Sequence, residues 1–284
     1  MVGRKGAEYS DFMMNAGAWG WPTQCRVCRR WQAHALCTTC LPPSGRAGPR
    51  CLRCALPLPS SRVTHPDGLC ALCEDEPPRF DHAIAAFDYE APWSGLVAAL
   101  KFRQDPALAV PLAGALQEPI LKRWGLPSRP GQPALQRLRA GAPSLIVPVP
   151  LSAARLRERG YNQADRLARA LGRTLRLPVQ TDLVQRRRDT ARLMSLDKDA
   201  REAHIRGAFH VPPAWRAAIA GRHVAVVDDV LTTGATLNAV SDALWRAGAR
   251  EVSAWVLART PRPHDADRSG GQQTAGSETT ASSC

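Results

Sequence analysis

The sequence predicts an α/β protein with a mostly parallel sheet, preceded by a small cysteine-rich segment. From residue 80 to about residue 260, apolar runs of strand length alternate with segments of helical periodicity. Before that point, the chain carries four C-x-x-C pairs and little apolar patterning. One apolar run, in VAVVDDVLTTGAT at 224–236, ends in two adjacent carboxylates. It indicates a ligand, because neighbouring carboxylates repel each other and a buried strand gains nothing from them.

The first half of the α/β region is predicted from apolar periodicity. The apolar content of DHAIAAFDY at 81–89 predicts a strand. The apolar residues of WSGLVAALKF at 93–102 fall on one side of a helix, so this segment is predicted to be helical. PLAGALQEPILKRW at 111–124 is a second helical segment, whereas the Pro- and Gly-rich residues 125–143 indicate a loop or an insertion. SLIVPVP at 144–150 is a short apolar run closed by prolines, as at the end of a buried strand.

The second half repeats the same alternation. NQADRLARALGRTL at 162–175 predicts a helix, and GAFHV at 207–211 predicts an edge strand or a hairpin arm. HVAVVDDV at 223–230 is a strand, followed by a helix at 235–249 and the strand EVSAWVLAR at 251–259. Strands that alternate with helices in this way favour a parallel sheet.

Composition and charge narrow the class of protein. With 44% hydrophobic and 22% charged residues among 284, the chain fits neither a disordered nor a membrane protein. We find no apolar run near the roughly 18 residues of a membrane-spanning helix and no apolar core of a secretory signal, so we expect a cytoplasmic protein without membrane insertion. The net charge of +13 attracts anions such as nucleotides or nucleic acid, although compositional bias toward arginine explains it equally well.

The strand end at Asp228 and Asp229 is the candidate ligand site. Ligands of open α/β sheets bind at the carboxyl ends of the strands. The loop that follows leads into a helix, whose N–H groups and dipole favour an anion. This loop adds hydroxyl donors and a glycine that lets the backbone approach closely: Thr232, Thr233, Gly234, Ala235 and Thr236. A ribose 5-phosphate presents the matching groups, two adjacent hydroxyls and a dianion.

Other interpretations of this strand end fit the whole chain less well. A Walker B strand also ends in DD, but it requires G-x-x-x-x-G-K-[ST] elsewhere, and the sequence has none. G-x-G-x-x-G is absent as well, which argues against the usual dinucleotide fold. A purely structural alternative is an acidic strand end followed by an ordinary helix cap.

Taken together, these motifs resemble known families. VVDDVLTTGAT resembles the signature of type I phosphoribosyltransferases, which bind 5-phosphoribosyl-1-pyrophosphate (PRPP). VPVPLSAARLRERGYNQADRLARAL, RRRDT…GAF, AGAREVSAWVLAR and the C-x-x-C pairs resemble the ComF family, over residues 25 to about 260. The resemblance implies a Rossmann-like parallel sheet of the type I phosphoribosyltransferase fold with a small N-terminal zinc ribbon of the four-cysteine type. Periodicity and composition along the chain divide it into four segments, of which the resemblance names the middle two: a flexible arm at 1–20, a double zinc ribbon at 21–79, a phosphoribosyltransferase domain at 80–261 and a disordered tail at 262–284.

The resemblance also implies roles for individual residues. Asp228 and Asp229 would hold the ribose hydroxyls, residues 232–236 the 5-phosphate, and Lys101 would approach the leaving group, although a surface lysine is an equal alternative. The residues expected to face the pyrophosphate are Pro150, Leu151, Ser152, Arg155, Arg157, Arg159, Asn162 and Gln163. Guanidinium groups suit pyrophosphate because they bind its oxygens in a bidentate way, but at least one of the three arginines is expected only to face solvent.

The implied chemistry is displacement of pyrophosphate from C1 of the ribose, with Mg²⁺ on the pyrophosphate and ribose oxygens. The protein would contribute positioning and charge stabilisation of the leaving group, and no general base is evident in the sequence. Two departures from the family pattern, Leu193 in place of Gln and His204 in place of Asn, concern the acceptor side.

The cysteine pairs indicate zinc. Each C-x-x-C turn aims two thiolates at one metal, and two turns complete a tetrahedral site. The eight candidate ligands are Cys25, Cys28, Cys37, Cys40, Cys51, Cys54, Cys70 and Cys73; Cys284 is not expected to be one. We favour sequential pairing, 25/28/37/40 and 51/54/70/73, over a cross-braced arrangement, and zinc over catalytic redox use.

Three functions remain open at this point. The first is a Mg²⁺-dependent phosphoribosyltransferase with an unknown acceptor, and the second is a non-enzymatic module that keeps a PRPP pocket and binds single-stranded DNA or a partner protein. The family name implies DNA uptake in natural transformation, with a competence helicase as a partner. Trp19, Trp21 and Trp31 could stack on bases, although core tryptophans are commoner. The third is a zinc-ribbon scaffold whose pocket senses nucleotide supply.

Overall fold

A four-stranded parallel sheet forms the centre of the computed structural model, which describes residues 23–32, 35–37, 39–40, 48–58, 68–102, 105–124, 141–186 and 207–261. The strands are β1 (Thr23–Gln24), β2 (Trp31–Gln32), β3 (His82–Asp88), β4 (Leu145–Pro148), β5 (Gln185–Arg186), β6 (Phe209–His210), β7 (His223–Leu231) and β8 (Glu251–Arg259). The helices are α1 (Ala71–Asp75), α2 (Trp93–Phe102), α3 (Ala109–Arg123), α4 (Ala153–Arg159), α5 (Gln163–Leu175), α6 (Arg216–Ile219) and α7 (Ala235–Arg246).

The order of strands in the central sheet is β3-β8-β7-β4, and every pairing in it is parallel. This confirms the predicted α/β class. Strands β7 and β8 lie in the middle and are buried on both faces, which explains why both read as nearly continuous apolar runs. Beyond β4, Ile146 forms a parallel bridge with Val179, so the chain after α5 extends the edge of the sheet.

Successive strand residues supply two separate cores. Ile84, Ala225 and Trp255 pack on one face, together with apolar residues of α2, α3 and α5. Their neighbours Ala85 and Val226 point to the other face, which is covered by α7 and by the hairpin of β5 and β6. No helix in the described ranges has both the length and the apolar content that crossing a bilayer requires.

Three local differences from the predicted elements have physical causes. Helix α4 was not predicted, because it buries none of its residues and therefore shows no apolar period. Helix α3 begins two residues earlier than predicted, after a 3₁₀ turn at Pro106–Leu108. The segment predicted as an edge strand or hairpin arm is the second of these, because β6 pairs antiparallel with β5.

The cysteine-rich segment packs directly on the sheet. Leu36 belongs to the core on the side of α2 and α3, and Ala55 to the core on the opposite face. The backbone N–H of Ala83 donates to the carbonyl of Leu52 at 3.2 Å, so strand β3 is tied to this segment. The boundary between residues 79 and 80 stays a prediction, and packing contacts cross it. The arm at 1–20 and the tail at 262–284 lie outside the described residues.

We expect Gly172→Ala to destabilise the fold, because α5 approaches the sheet edge closely at this glycine. A Cβ on Gly172 would lie 2.3 Å from the Val179 Cγ2 atom and 3.0 Å from the Leu177 carbonyl oxygen. Such overpacking costs about 1–3 kcal/mol of the free energy of unfolding, measurable by urea denaturation. The control is Gly114→Ala in α3, where a Cβ meets nothing within 4 Å and stability should rise slightly. Equal effects at both positions would contradict this explanation.

Candidate functional site

Three elements bring the predicted site residues together at the carboxyl edge of the sheet, where its four strands end. Strands β4 and β7 run side by side to this edge, and the N–H of Val149 donates to the carbonyl of Val227 at 2.9 Å. Residues 150–152 therefore emerge next to Asp228 and Asp229. The third element is α2, whose last turn carries Lys101.

The centre of the site is an ion pair. The Nζ atom of Lys101 lies 2.8 Å from Oδ1 of Asp229, and the exposed fractions of the two side chains are only 19% and 10%. Asp228 accepts a hydrogen bond from the backbone N–H of Asp229 at 2.8 Å. The lysine side chain thus partly neutralises the carboxylate pair, and the alternative of a lysine facing only solvent does not hold.

Asp228 has a strongly altered acidity. Burial raises its pKa from 3.8 to about 7, and the charge of Asp229 contributes to this rise. The positive charges of Lys101 and Arg155 and the N–H of Asp229 oppose it. Near neutral pH the group therefore exchanges between its neutral and charged forms, and its ionised form is held in place at a cost in stability.

The loop of residues 232–236, which we call the threonine loop, connects the acidic strand end to α7. Gly234 has a φ of +86°, a conformation that favours glycine, and it stands directly before the first residue of the helix. A Cβ there would make only ordinary contacts, so backbone conformation rather than space requires the glycine. Thr232 and Thr233 are exposed, and the N–H of Ala235, the first residue of the helix, donates to the hydroxyl of Thr233 at 3.4 Å.

A buried arginine that the sequence analysis missed supports the threonine loop. Arg259, 2% exposed, ends β8 and donates to the carbonyls of Leu231 at 2.9 Å and Thr232 at 2.7 Å. Two carbonyls at the start of the loop are thus turned inward, which leaves the N–H groups of the following peptides for the outer side. A signal was present in the sequence, because EVSAWVLAR is an apolar strand that ends in a charge, as VAVVDD does.

The neighbouring loop of residues 150–152 leads into α4. Ser152 is buried and caps this helix by accepting a hydrogen bond from the N–H of Arg155. The charge of Arg155 lowers the pKa of Asp228, although its effect is smaller than those of burial, Asp229 and Lys101. Arg155 and Arg157 are both exposed, and their roles toward a ligand stay predictions. Pro150 and Leu151 are half-buried beside them.

The two amides and the third arginine bond to the protein itself. Asn162 caps α5 and donates from Nδ2 to the carbonyl of Val149 at 2.9 Å. Gln163 is buried, donates to the carbonyl of Lys101 and accepts from Arg159, both at 3.3 Å. The guanidinium of Arg159 also lies over the exposed ring of Phe102 at 4.9 Å. In the described contacts, therefore, Asn162 holds the backbone at Val149 and Gln163 holds it at Lys101, and the roles of both amides toward a ligand stay predictions.

The eight paired cysteines form two clusters in the predicted sequential arrangement. The first cluster is Cys25, Cys28, Cys37 and Cys40, and the second is Cys51, Cys54, Cys70 and Cys73; within each, the sulfur atoms all lie within 4.8 Å of one another. Sulfurs about 2.3 Å from a central zinc ion stand about 3.8 Å apart. The sulfurs of Cys28 and Cys37 have this separation, 3.8 Å, and those of Cys54 and Cys70 lie 3.6 Å apart. Both clusters could bind zinc.

Of the remaining residues named from the sequence, one lies at the surface and the others lie outside the described ranges. Trp31 is 68% exposed, so the core position that is commoner for tryptophan is wrong for this residue. Trp19, Trp21, Leu193, His204 and Cys284 lie outside the described residues.

Comparisons with known proteins add the following relationships. A phosphoribosyl transferase domain model matches residues 156–273. The chain is 31% identical over 242 residues to the DNA utilization protein YhgH of Escherichia coli K12, covering 84% of this chain and 98% of that protein. It is 32% identical over 190 residues to Competence protein F of Haemophilus influenzae, covering 67% and 78%. It is also 32% identical over 123 residues to Competence protein ComFC of Bacillus subtilis, covering 41% and 45%.

We expect Asp228→Asn to stabilise the ligand-free protein at alkaline pH. Because the folded-state pKa of this acid is raised to about 7, stability is lost as the pH rises from about 4 to 7, where the unfolded chain is ionised and the folded chain is not. The amide removes this cost, so the gain should be on the order of 1–3 kcal/mol at pH 8 and should shrink toward pH 4. Thermal denaturation at both pH values measures it.

The control for this experiment is Asp242→Asn on α7. Asp242 lies 3.8 Å from the guanidinium of Arg79 at the surface, so its removal should change stability by less than about 0.5 kcal/mol at either pH. A loss of stability in Asp228→Asn at pH 8 would contradict the electrostatic strain inferred for the carboxylate pair.

Proposed function

The chain belongs to the ComF family, and on this premise we propose that it binds PRPP at the carboxyl edge of the sheet. The observation that carries the proposal is the joint placement of two acidic side chains, one largely buried lysine and a threonine loop that contains Gly234. These groups offer hydrogen-bond acceptors for a diol next to donors for a phosphate. A ribose 5-phosphate carries both of the complementary groups on one small molecule.

Each part of PRPP has a proposed partner. The ribose hydroxyls donate to Asp228 and Asp229, and hydrogen bonds to charged acceptors are the stronger kind. The 5-phosphate lies on the threonine loop, where main-chain N–H groups and the α7 dipole favour a dianion. The pyrophosphate faces residues 150–152 and Arg155, whose charge already acts on the acidic pair. The ammonium group of Lys101 pairs with Asp229 in the ligand-free protein, and it can instead pair with the departing pyrophosphate when PRPP is bound.

The proposed reaction is transfer of the phosphoribosyl group, the chemistry of a pentosyl-transferring glycosyltransferase. The bond between C1 and the pyrophosphate oxygen breaks, a nucleophilic acceptor forms a new bond to C1, and the acceptor loses its proton to solvent or to the departing pyrophosphate. Mg²⁺ supplies charge neutralisation on the pyrophosphate when it is bound. The protein positions both reactants and stabilises the departing charge with Arg155 and Lys101.

We also propose that both cysteine clusters hold structural zinc in the cytoplasm. The sulfur separations fit a tetrahedral S₄ site, and C-x-x-C pairs stay reduced and metal-bound in a reducing compartment. In the first cluster, the N–H of Arg29 donates to the carbonyl of Cys25, and in the second that of Ala55 donates to the carbonyl of Cys51, both at 2.9 Å. In both clusters the residue that follows the first C-x-x-C pair has a positive φ, 61° at Arg29 and 58° at Ala55.

For PRPP, we expect Asp228→Asn combined with Asp229→Asn to weaken binding by at least about 100-fold, because two charge-assisted hydrogen bonds of about 1.5–3 kcal/mol each are lost. Isothermal calorimetry with Mg²⁺ and PRPP measures the affinity. Asp242→Asn is the matched control, since it changes the same type of group on α7 away from the carboxyl edge. Wild-type affinity in the double variant would refute the assignment.

A labelled substrate distinguishes an enzyme from a binding module. Protein incubated with radiolabelled PRPP and cell extract should release pyrophosphate and yield one labelled product that the double variant does not form. Binding without transfer to any component of the extract would instead support the module that only keeps the pocket.

A second function, binding of single-stranded DNA, is favoured by one specific observation. Trp31 is 68% exposed on β2 and follows two exposed arginines, Arg29 and Arg30. An exposed aromatic ring beside positive charges is the arrangement on which bases stack while the backbone phosphates are neutralised. Relatives named for competence and DNA utilization agree with this role. We propose that the face formed by β1 and β2 contacts DNA.

We expect Trp31→Ala to weaken binding of a single-stranded oligonucleotide by about 5- to 150-fold, the loss of about 1–3 kcal/mol of stacking. Trp31→Phe should keep most of the affinity, because an aromatic ring is retained. Fluorescence anisotropy at several salt concentrations measures both variants. Wild-type affinity should fall steeply with salt, and a flat response would exclude phosphate contacts.

A further inference from the structure

Arg259 joins the threonine loop to the second cysteine cluster. Its guanidinium donates from Nη1 to the carbonyls of Leu231 and Thr232, at the start of the loop. From Nε it donates to the carbonyl of Cys54 at 2.9 Å, across 205 residues of sequence. One buried and rigidly held side chain therefore contacts both the loop and a cysteine of the second cluster.

The carbonyl of Cys54 is fixed by the turn that carries the cluster. The N–H of Ala55 donates back to the carbonyl of Cys51, and Ala55 has a φ of +58° and is 1% exposed. Arg50 holds the same turn on the sheet by donating to the carbonyl of Ala55 at 3.0 Å and to Asp88 at 2.8 Å. If the sulfur atom of Cys54 is released, its backbone loses one of the constraints that place the carbonyl opposite Arg259.

The first cluster is attached to another part of the fold. Val27 and Leu36 pack on the core that α2 and α3 cover, and Arg26 forms an ion pair with Asp105 at 3.0 Å. None of these contacts reaches the threonine loop. Of the two clusters, therefore, only the second is linked to the threonine loop in the described contacts, and the first can serve as its control.

We propose that Arg259 is a positioning residue that couples metal binding at the second cluster to the conformation of the threonine loop, and through it to PRPP affinity. With metal bound, the carbonyl of Cys54 holds the guanidinium, and the guanidinium holds the carbonyls of Leu231 and Thr232. The coupling is reciprocal, so a phosphate bound to the loop also tightens metal binding at the second cluster. The part that concerns PRPP rests on the function proposed above, whereas the effect on the ligand-free loop does not.

The first test compares two cysteine variants by hydrogen exchange of the ligand-free, full-length protein. Cys70→Ser removes a half-buried ligand of the second cluster, and Cys37→Ser removes a half-buried ligand of the first. We expect Cys70→Ser to raise exchange of the amides of residues 231–236 at least tenfold and Cys37→Ser to leave it unchanged, with each variant holding one zinc ion. Equal exchange in the two variants overturns the proposal, whether or not the protein binds PRPP.

The second test keeps both clusters intact and changes the arginine. Arg259→Lys retains the positive charge but loses the branched guanidinium that donates to several carbonyls at once. Arg50→Lys is the matched control, because Arg50 bonds to the same cysteine turn but does not contact the threonine loop. In wild type and Arg50→Lys, Mg²⁺ with PRPP should slow the release of one of two zinc ions to a chromogenic chelator by roughly fivefold or more. In Arg259→Lys this dependence should vanish.

The outcomes separate the two proposals. A wild-type protein that binds PRPP but releases both zinc ions at an unchanged rate overturns the coupling and leaves the proposed function standing. A wild-type protein that does not bind PRPP refutes the proposed function, and the exchange of residues 231–236 then decides the coupling alone. Should either serine variant fail to fold, zinc release by the wild type with and without PRPP supports or overturns the proposal.

Discussion

Two carboxylates on consecutive residues of a buried strand stay in place only if positive charge and N–H donors approach them from other elements. In this protein, Lys101 provides the charge to Asp229 from the end of α2, and the backbone N–H of Asp229 bonds to Asp228. The charge balance is incomplete, since the pKa of Asp228 is still raised to about 7. The remaining electrostatic cost is what a ligand with donating hydroxyls can relieve, so the site is organised at the expense of the stability of the free protein.

The architecture explains why these groups meet. Parallel strands end at one edge, so the ends of β4, β7 and β8 deliver residues that are distant in sequence to the same small region. Helix α5 begins there as well, and Asn162 and Gln163 tie its start to the carbonyls of Val149 and Lys101. Side-chain bonds to the backbone thus hold the lysine and the neighbouring loop in place in the ligand-free protein, which would lower the cost of ordering them for the proposed ligand.

Much of the fold and of the acidic site could be predicted because the relevant signals are local. The period of the apolar residues indicates the strands and most helices, and the coincidence of DD with TTGAT marks the loop for which we propose ligand binding. Helix α4 was not predicted because it has no buried face and therefore no apolar period. The role of Arg259 could not be predicted because it bonds to carbonyls that come together only in the folded chain. The exposure of Trp31 could not be predicted, since a single aromatic residue in a short segment has no period to reveal which side faces solvent.

The contact between Arg259 and Cys54 has a consequence for how the chain matures during translation. The turn that contains Cys54 leaves the ribosome first, and Arg259 follows 205 residues later. At a synthesis rate of about 5–20 residues per second, this interval lasts roughly 10–40 seconds. The turn of Cys51–Cys54 can contact strand β3 during this interval, but its bond to Arg259 forms only after the last strand has been synthesised. The core that Ala55 joins includes residues of β7 and β8, so Ala55 stays incompletely covered until these strands follow, and a nascent chain in this state is prone to incorrect association.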